Sequence, residues 1–327
     1  MIDTGGGIRY RRLRHSDLPV YGHLIRLAVG RLEQATGLDQ GVDGLARTLG
    51  RWPVWAGLRF LELIGKPFLQ VTVAEAGSRL VATGALVRLR NAGYVMGMAT
   101  EPEYRGRGIA SQILGGLTDT AARYHRPWTA LDVESENATA IRVYRRAGYR
   151  EVARFTWYRR PGAPTPAGGR PASDSLLPRR ELATFATELD TGRNAEYRSA
   201  LPATPRMLSH NELIIQGGAL EHRTWLRRDA AGSPFALRAY FIPATRMGVF
   251  FPLTTGVDPS PEAVAPVLDE GSRWVGEHGV VTCLAVLPEP VGTLGAALER
   301  VGFTAVVSSV TMLAPVRAEP AVTGRPA

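Results

Sequence analysis

The chain has a single cysteine, Cys283, in 327 residues. That excludes an intrachain disulfide framework and any all-cysteine metal site. Lysine is almost absent as well: of 39 basic residues, only Lys66 is lysine, a compositional bias that carries no functional reading. No run of about 18 uninterrupted apolar residues occurs, so no membrane-spanning helix is expected. The opening stretch, MIDTGGGIRYRRLRHSD, lacks the apolar core of a secretory signal. No GxxxxGK[ST], HExxH or GxSxG pattern is present, so the chemistries those motifs carry have no support. The six histidines (His15, His23, His125, His210, His222 and His278) show no ligand spacing and are expected at the surface, and no metal site is expected. The expectation is a soluble, cytoplasmic protein.

What is present is ordinary for a packed fold, with 45% apolar and 21% charged residues. At roughly 100–200 residues per domain, the length suggests two domains. The net charge of +9 is uneven. Residues 1–160 hold 24 basic against 14 acidic residues, and residues 161–327 hold 15 against 16. The first half therefore favours a polyanionic partner. No nucleic-acid recognition motif accompanies the charge, so an anionic cofactor accounts for it more economically.

The Pro-, Gly- and Ala-rich stretch 161–178 reads as a linker between domains at 1–160 and 179–316, and 317–327 reads as a flexible tail. The first domain reads as α/β. A strand is expected at Ile8–Leu13, then a helix capped by Ser16 and running to about Arg31. Residues 36–65 are expected to be partly helical, and the apolar Trp52–Ile64 reads as core, with the lining of an acceptor pocket or an interface as the alternative. Strands at Phe68–Ala74, Leu80–Leu89 and Tyr94–Thr100 form an antiparallel meander. A Gly-rich turn follows, then a helix whose apolar face is Ile109, Ile113, Leu114 and Leu117. A strand at Trp128–Glu134, a helix at Asn137–Ala147 ended by Gly148, and a strand at Tyr149–Tyr158 complete the domain. The second domain repeats the tail of this order: a hairpin at Phe235–Ile242 and Met247–Leu253, a helix at Pro261–His278, a strand at Val280–Val286, a helix at Val291–Val301 and a strand at Phe303–Met312. Arg146-Ala-Gly148-Tyr149 recurs as Arg300-Val-Gly302-Phe303, which reads as duplication.

Two motifs carry chemistry. In Arg105-Gly106-Arg107-Gly108-Ile109-Ala110, between a strand and a helix, glycines let the backbone bend sharply and keep side chains away from a ligand. The helix that follows offers unpaired N–H groups and the positive end of its dipole, which suits a pyrophosphate. Downstream, Asn137, Ala140 and Tyr144 share one helix face. Asn137 caps, Ala140 leaves room, and Tyr144 sets a phenol beside that space. A phenol of ordinary pKa about 10 is a plausible proton donor to a thiolate. Cys283 lies in an apolar strand and reads as a buried structural thiol.

Together these segments resemble the GNAT superfamily of acyl-CoA N-acyltransferases. The family pattern [Q/R]-x-x-G-x-[G/A] is met by Arg105, Gly108 and Ala110, and N-x-x-A-x-x-x-Y-x-x-x-G-[F/Y] by Asn137, Ala140, Tyr144, Gly148 and Tyr149. The resemblance covers about residues 8–160. It implies an α/β (α+β) architecture of two GNAT-like units, each a mixed, mostly antiparallel central sheet flanked by helices. It implies acetyl-CoA as co-substrate, without a metal, lying between strands 94–100 and 128–134. Backbone groups of Met98, Ala99 and Thr100 would meet the pantetheine arm. Arg105, Gly106, Arg107, Gly108, Ile109, Ala110 and Ser111 would hold the pyrophosphate, and Asn137 would touch the cofactor. A primary amine, on a small molecule or a peptide, would attack the thioester directly, and Tyr144 would protonate the departing thiolate. Asp132 is the first candidate for general base. Ribosomal-protein N-terminal acetyltransferases carry a glutamate at the matching position, twelve residues before the tyrosine. Glu134, on the same strand face, is the second candidate. Glu101 and Glu103 are expected to flank the cofactor loop in solvent.

The second half lacks the signature. Its counterpart loop, Thr254–Pro261, has one glycine, no arginine and an acid, and Val291–Arg300 has no tyrosine. A degenerate GNAT-like domain without cofactor binding is expected. Two other functions compete. One is a non-catalytic acyl-CoA sensor. The other is a dinucleotide oxidoreductase, disfavoured by Ser111 at the third glycine position and by the antiparallel meander before the motif. The acceptor and the oligomeric state are not legible in the sequence.

Overall fold

The computed structural model describes residues 3–4, 7–28, 30, 34, 51–63, 69–89, 91–162, 221–230, 232, 234–243, 246–254 and 259–316. Within them the chain divides into two compact units, and neither is continuous. Of the described residues, the first holds those within 3–30, 51–152 and 311–316, and the second holds residue 34 and those within 153–310. The sequence suggested consecutive domains at 1–160 and 179–316. In chain order the unit boundaries at 152/153 and 310/311 fall inside two long strands. The expected linker begins inside one of these strands, and its residues 163–178, like the tail 317–327, lie outside the described residues.

In the first unit, strands β1 (Asp3–Thr4), β2 (Ile8–Arg12), β3 (Leu69–Ala76), β4 (Arg79–Arg88) and β5 (Ala92–Thr100) pair antiparallel in sequence order. The expected meander is β3-β4-β5. Strand β6 (Trp128–Glu134) runs parallel to β5. Beyond β6 lies the end of the last strand, β12 (Thr304–Pro315). Val316 N donates to Pro127 O at 2.9 Å, and Thr129 Oγ1 donates to Ala314 O at 3.4 Å. Numbers rise along one strand as they fall along the other, so the pair is antiparallel.

Helix α1 (Leu18–Ala28) buries Tyr21, Leu24 and Ile25 against Leu13, Val73 and Leu80. Residues 29 and 31, in the expected last turn, lie outside the described residues. Ser16 is not the cap of α1: His15–Asp17 form a 3-10 turn, and the Asp17 carboxylate accepts from the Arg14 backbone N–H at 2.7 Å. Helix α2 (Trp52–Leu63) was expected as core, yet Trp52 and Phe60 are 68% and 59% exposed. Helix α3 (Ile109–Arg123) buries Ile109, Ile113, Leu114 and Leu117, the expected apolar stripe. Gly84 of β4 lets this helix approach closely, since a Cβ there would sit 2.7 Å from Ile113 Cγ2. Helix α4 (Ala138–Arg146) follows β6 after a three-residue connection.

Strand β7 (Arg150–Pro161) enters the second unit at Ala153 and pairs antiparallel with β11 (Thr282–Pro288). The rest of this unit repeats the first. Strands β8 (Glu221–Arg228), β9 (Pro234–Ile242) and β10 (Met247–Thr254) form an antiparallel meander. Helix α5 (Pro261–Glu277) leads to β11, which is parallel to β10; helix α6 (Gly292–Arg300) leads to β12. Gly148 and Gly302 both have positive φ, +89° and +85°, so the repeated motif ends α4 and α6 in the same way. Strand β8 escaped the sequence reading because its residues, EHRTWLRR, bury only Trp225 and show no apolar alternation. The core of this unit gathers Leu237, Phe250, Leu268, Trp274, Leu298 and Phe303.

The molecule is thus mixed α/β, with mostly antiparallel strands flanked by helices, as expected. Among the described residues, no helix is long and apolar enough to cross a membrane.

Candidate active site

The parallel ladder between β5 and β6 is short. It runs from Ala92↔Trp128 to Val95↔Leu131 and stops. The later residues of β5 remain paired only on their other side, with Thr83↔Ala99 and Ala82↔Thr100 on β4. A bulge next to Gly97, whose φ is +62°, bends β5 at the point where the two strands part. Past Val95, the β6-facing backbone edge of Met98, Ala99 and Thr100 is therefore outside the β5–β6 ladder.

This open edge leads into the Gly-rich turn. Gly106 and Gly108 both have φ of +77°, and a Cβ at either would meet nothing within 4 Å. The glycines are needed for the backbone conformation, and the space beside them is open. Gly108 caps α3 without a side chain, so no side chain fills the helix tip. Gly106, Arg107, Gly108 and Ser111 are exposed, Ala110 is half-buried, and Ile109 is buried as the first apolar anchor of α3. The two arginines brace the turn: Arg105 Nε donates to Thr100 O at 3.0 Å and Arg107 Nη2 to Glu103 O at 3.0 Å. The Arg107 guanidinium also lies 5.0 Å from the centre of the Tyr104 ring.

Of the two acids expected in solvent here, Glu103 is exposed but Glu101 is not; Glu101 is 5% exposed. Its backbone N–H donates to Val81 O at 2.8 Å, extending the β4–β5 pairing and drawing the side chain inward. There its carboxylate lies 3.1 Å from His23 Nε2 and 3.6 Å from Arg79 Nη2.

Asp132 and Glu134 are both half-buried, flanking the buried Val133, so they share a face as expected. Asp132 sits just past the last β5–β6 pair. Tyr94 Oη donates to its Oδ2 at 2.5 Å, and Thr311 Oγ1 donates to its Oδ1. Sequence reasoning missed both donors. Tyr94 was recoverable in principle: it pairs with Ala130, which shares a strand face with Asp132. Thr311, 179 positions away, left no local signal.

Asn137 caps α4, accepting from Ala140 N at 3.1 Å. Its side-chain oxygen is thereby engaged. Tyr144 is buried with Ile141 on the inner face of α4, its ring 6.0 Å from that of Tyr149. Burial pushes the Tyr144 phenol up to about 12, with a smaller push from Tyr149. Cys283 is fully buried and unreactive in character; burial raises its thiol, and nearby Arg160 only partly compensates. No cluster of metal-ligating side chains occurs among the described residues. His278 departs from the expected surface placement. It is half-buried between Phe241 and Trp274.

Residues 45–149, which hold this splay, turn and helix, match the model of the acetyltransferase (GNAT) family. This segment is similar to GNAT acetyltransferase domains. Over 72 residues the chain is 36% identical to N-alpha-acetyltransferase 30 of Saccharomyces cerevisiae. That stretch is 22% of this chain and spans 40% of the length of that relative. Two solved structures resemble nearly the whole chain. A GCN5-related N-acetyltransferase from Sphaerobacter thermophilus aligns with a TM-score of 0.56 at 16% identity, over 96% of this chain and 98% of its own. A tandem GNAT protein from the clavulanic acid biosynthesis pathway aligns with a TM-score of 0.53 at 14% identity, over 96% and 99%. At such identities the likeness is one of fold. The segment matched by the family model contains both motifs and all the candidate site residues except Thr311.

Proposed function

We propose that the GNAT domain binds acetyl-CoA and transfers its acetyl group to a primary amine on a small molecule or peptide. The supporting observation is the parting of β5 and β6 after Val95↔Leu131, directly upstream of a helix tip lined by two glycines of positive φ. The residues fit the co-substrate. The edge of Met98, Ala99 and Thr100, whose Thr100 carbonyl already accepts from Arg105, offers strand-like hydrogen bonds to the amides of an extended arm. The bare N–H groups of Gly106 to Ser111 suit a pyrophosphate. Arg105 and Arg107 add positive charge while holding the turn. When bound, acetyl-CoA supplies the activated thioester.

In this reading the chain's own groups handle protons. Asp132, or Glu134 beside it, takes a proton from the acceptor ammonium, directly or through a water, so that the free amine attacks in a ternary complex. Tyr144 faces the sulfur. A phenol held at about 12 keeps its proton through neutral pH. Full transfer to a thiolate, whose parent thiol is near 8.5, is uphill. Tyr144 therefore acts first by donating a hydrogen bond as charge develops on sulfur, and releases the proton only as the C–S bond completes its cleavage.

The second unit has the same element order but a different helix tip. Ser260 caps α5 with its own side chain, accepting from Ala263 N at 3.3 Å, and Pro261 removes an N–H from the first turn. Helix α6 carries no tyrosine. Residues 255–258 of the counterpart loop lie outside the described residues. These features support a GNAT-like unit without a cofactor.

Calorimetric titration with acetyl-CoA, followed by a thiol-release assay over a panel of primary amines, tests the proposal. Binding plus amine-dependent CoA release is expected. No binding at millimolar acetyl-CoA overturns it.

A further inference from the structure

We propose that Thr311 and Tyr94 are positioning residues that hold Asp132 as the general base, so that the last strand of the chain helps complete the acetyl-transfer site. This rests on the N-acetyltransferase reading above. Three strands converge on one carboxylate. Tyr94 on β5 donates to Oδ2 and Thr311 on β12 donates to Oδ1. The donors stand on the two strands that flank β6, so both oxygens are held and rotation about the Cβ–Cγ bond is opposed from both sides.

The surroundings make these hydroxyls notable. Thr311 is completely buried in a run that includes Val310, Met312 and Leu313, each likewise fully buried. A valine would fill that strand position with no polar group to satisfy. The threonine hydroxyl is instead aimed at Asp132, as burial requires of a polar group. Asp132 itself is half-buried and lies where the β5–β6 ladder ends, the point at which a ligand between the strands would first meet β6. Glu134, the rival base, lies two residues further on. In the step assigned here the N–H bond of the acceptor ammonium breaks and its proton passes to Asp132. The freed lone pair forms the C–N bond, and the C–S pair leaves with the thiolate. Tyr94 and Thr311 keep their own protons throughout and donate to the carboxylate.

The test uses the full-length protein with acetyl-CoA and whichever amine of the panel the wild type acetylates. Thr311→Val should lower kcat by about tenfold or more, the scale of losing one hydrogen bond to a charged group. Its KM for acetyl-CoA should change less than about twofold, because the cofactor turn is untouched. Thr311→Ser, which keeps the hydroxyl, should recover most of the rate, a rescue that a purely packing role would not produce. Tyr94→Phe should show the same split of kcat from KM and stands in should Thr311→Val fold poorly. Undiminished kcat in both hydroxyl-deleting variants, or a Thr311→Ser protein as impaired as Thr311→Val, overturns the assignment while leaving the acetyltransferase reading intact. A wild-type protein that binds acetyl-CoA but turns over no amine overturns both.

Discussion

The guanidinium of Arg105 donates to the carbonyl of Thr100 at 3.0 Å, tying the end of strand β5 to the turn that follows it. The most recognisable residue of the motif is thus engaged with the protein's own backbone. Its first task is to shape the turn, and its charge is a second contribution. Arg105→Ala should weaken acetyl-CoA binding by about tenfold, in line with one charge-assisted hydrogen bond. Calorimetry measures this directly. An unchanged affinity would show that the turn holds its shape without the brace.

Tyr144 separates an enzyme from a sensor. Removing its hydroxyl in Tyr144→Phe should lower kcat by about a hundredfold, the usual scale for a positioned proton donor, with acetyl-CoA affinity nearly unchanged. A pure binding module would keep its ligand response intact. Steady-state kinetics beside calorimetry distinguishes the two.

The two carboxylates of β6 are ranked by their surroundings, since Asp132 receives hydroxyl donors from both neighbouring strands. Asp132→Asn should therefore cost more in kcat than Glu134→Gln, by about tenfold or more. The reverse order in parallel rate measurements would move the base to Glu134.

Acid should loosen the first unit through Glu75. Hydrogen bonds from Arg11, and then Arg9, hold its carboxyl at about 2, below its ordinary 4.5. The folded value is the depressed one, so the stabilisation is complete above about 4.5 and is lost as pH falls from there towards 2. Glu75→Gln should cost about 1 kcal/mol at neutral pH after solvent screening. That deficit should shrink towards pH 2, as followed by urea denaturation at several pH values. A pH-independent difference would contradict the ion-pair account.

Stoichiometry probes the second unit. With Ser260 and Pro261 closing its helix tip, one acetyl-CoA should bind per chain in calorimetry. Two equivalent sites would overturn the cofactor-free reading.

Much of the fold was legible because its signals are local. The stripe Ile109, Ile113, Leu114 and Leu117 defined α3, and the glycines at 148 and 302 ended two helices where the repeated motif placed them. Local patterning failed where burial depends on distant partners. The apolar Trp52–Leu63 segment reads as core, yet it leaves Trp52 and Phe60 exposed. Glu101 reads as solvent-facing, yet one extra backbone bond to Val81 carries it inside. In the site, the turn and the phenol announce themselves in contiguous motifs. The partners of Asp132 do not, since a hydrogen bond spanning 179 positions leaves no trace in any short window.

The first unit takes part of its sheet from residues 311–315 of β12, far from the rest of it in sequence. A fragment stopping at residue 160 would retain every recognisable signature and still lack the hydroxyl of Thr311 and the closing edge beside β6. Recombination or truncation at the obvious seam therefore yields a polypeptide that looks whole by its motifs and is unfinished by its hydrogen bonding.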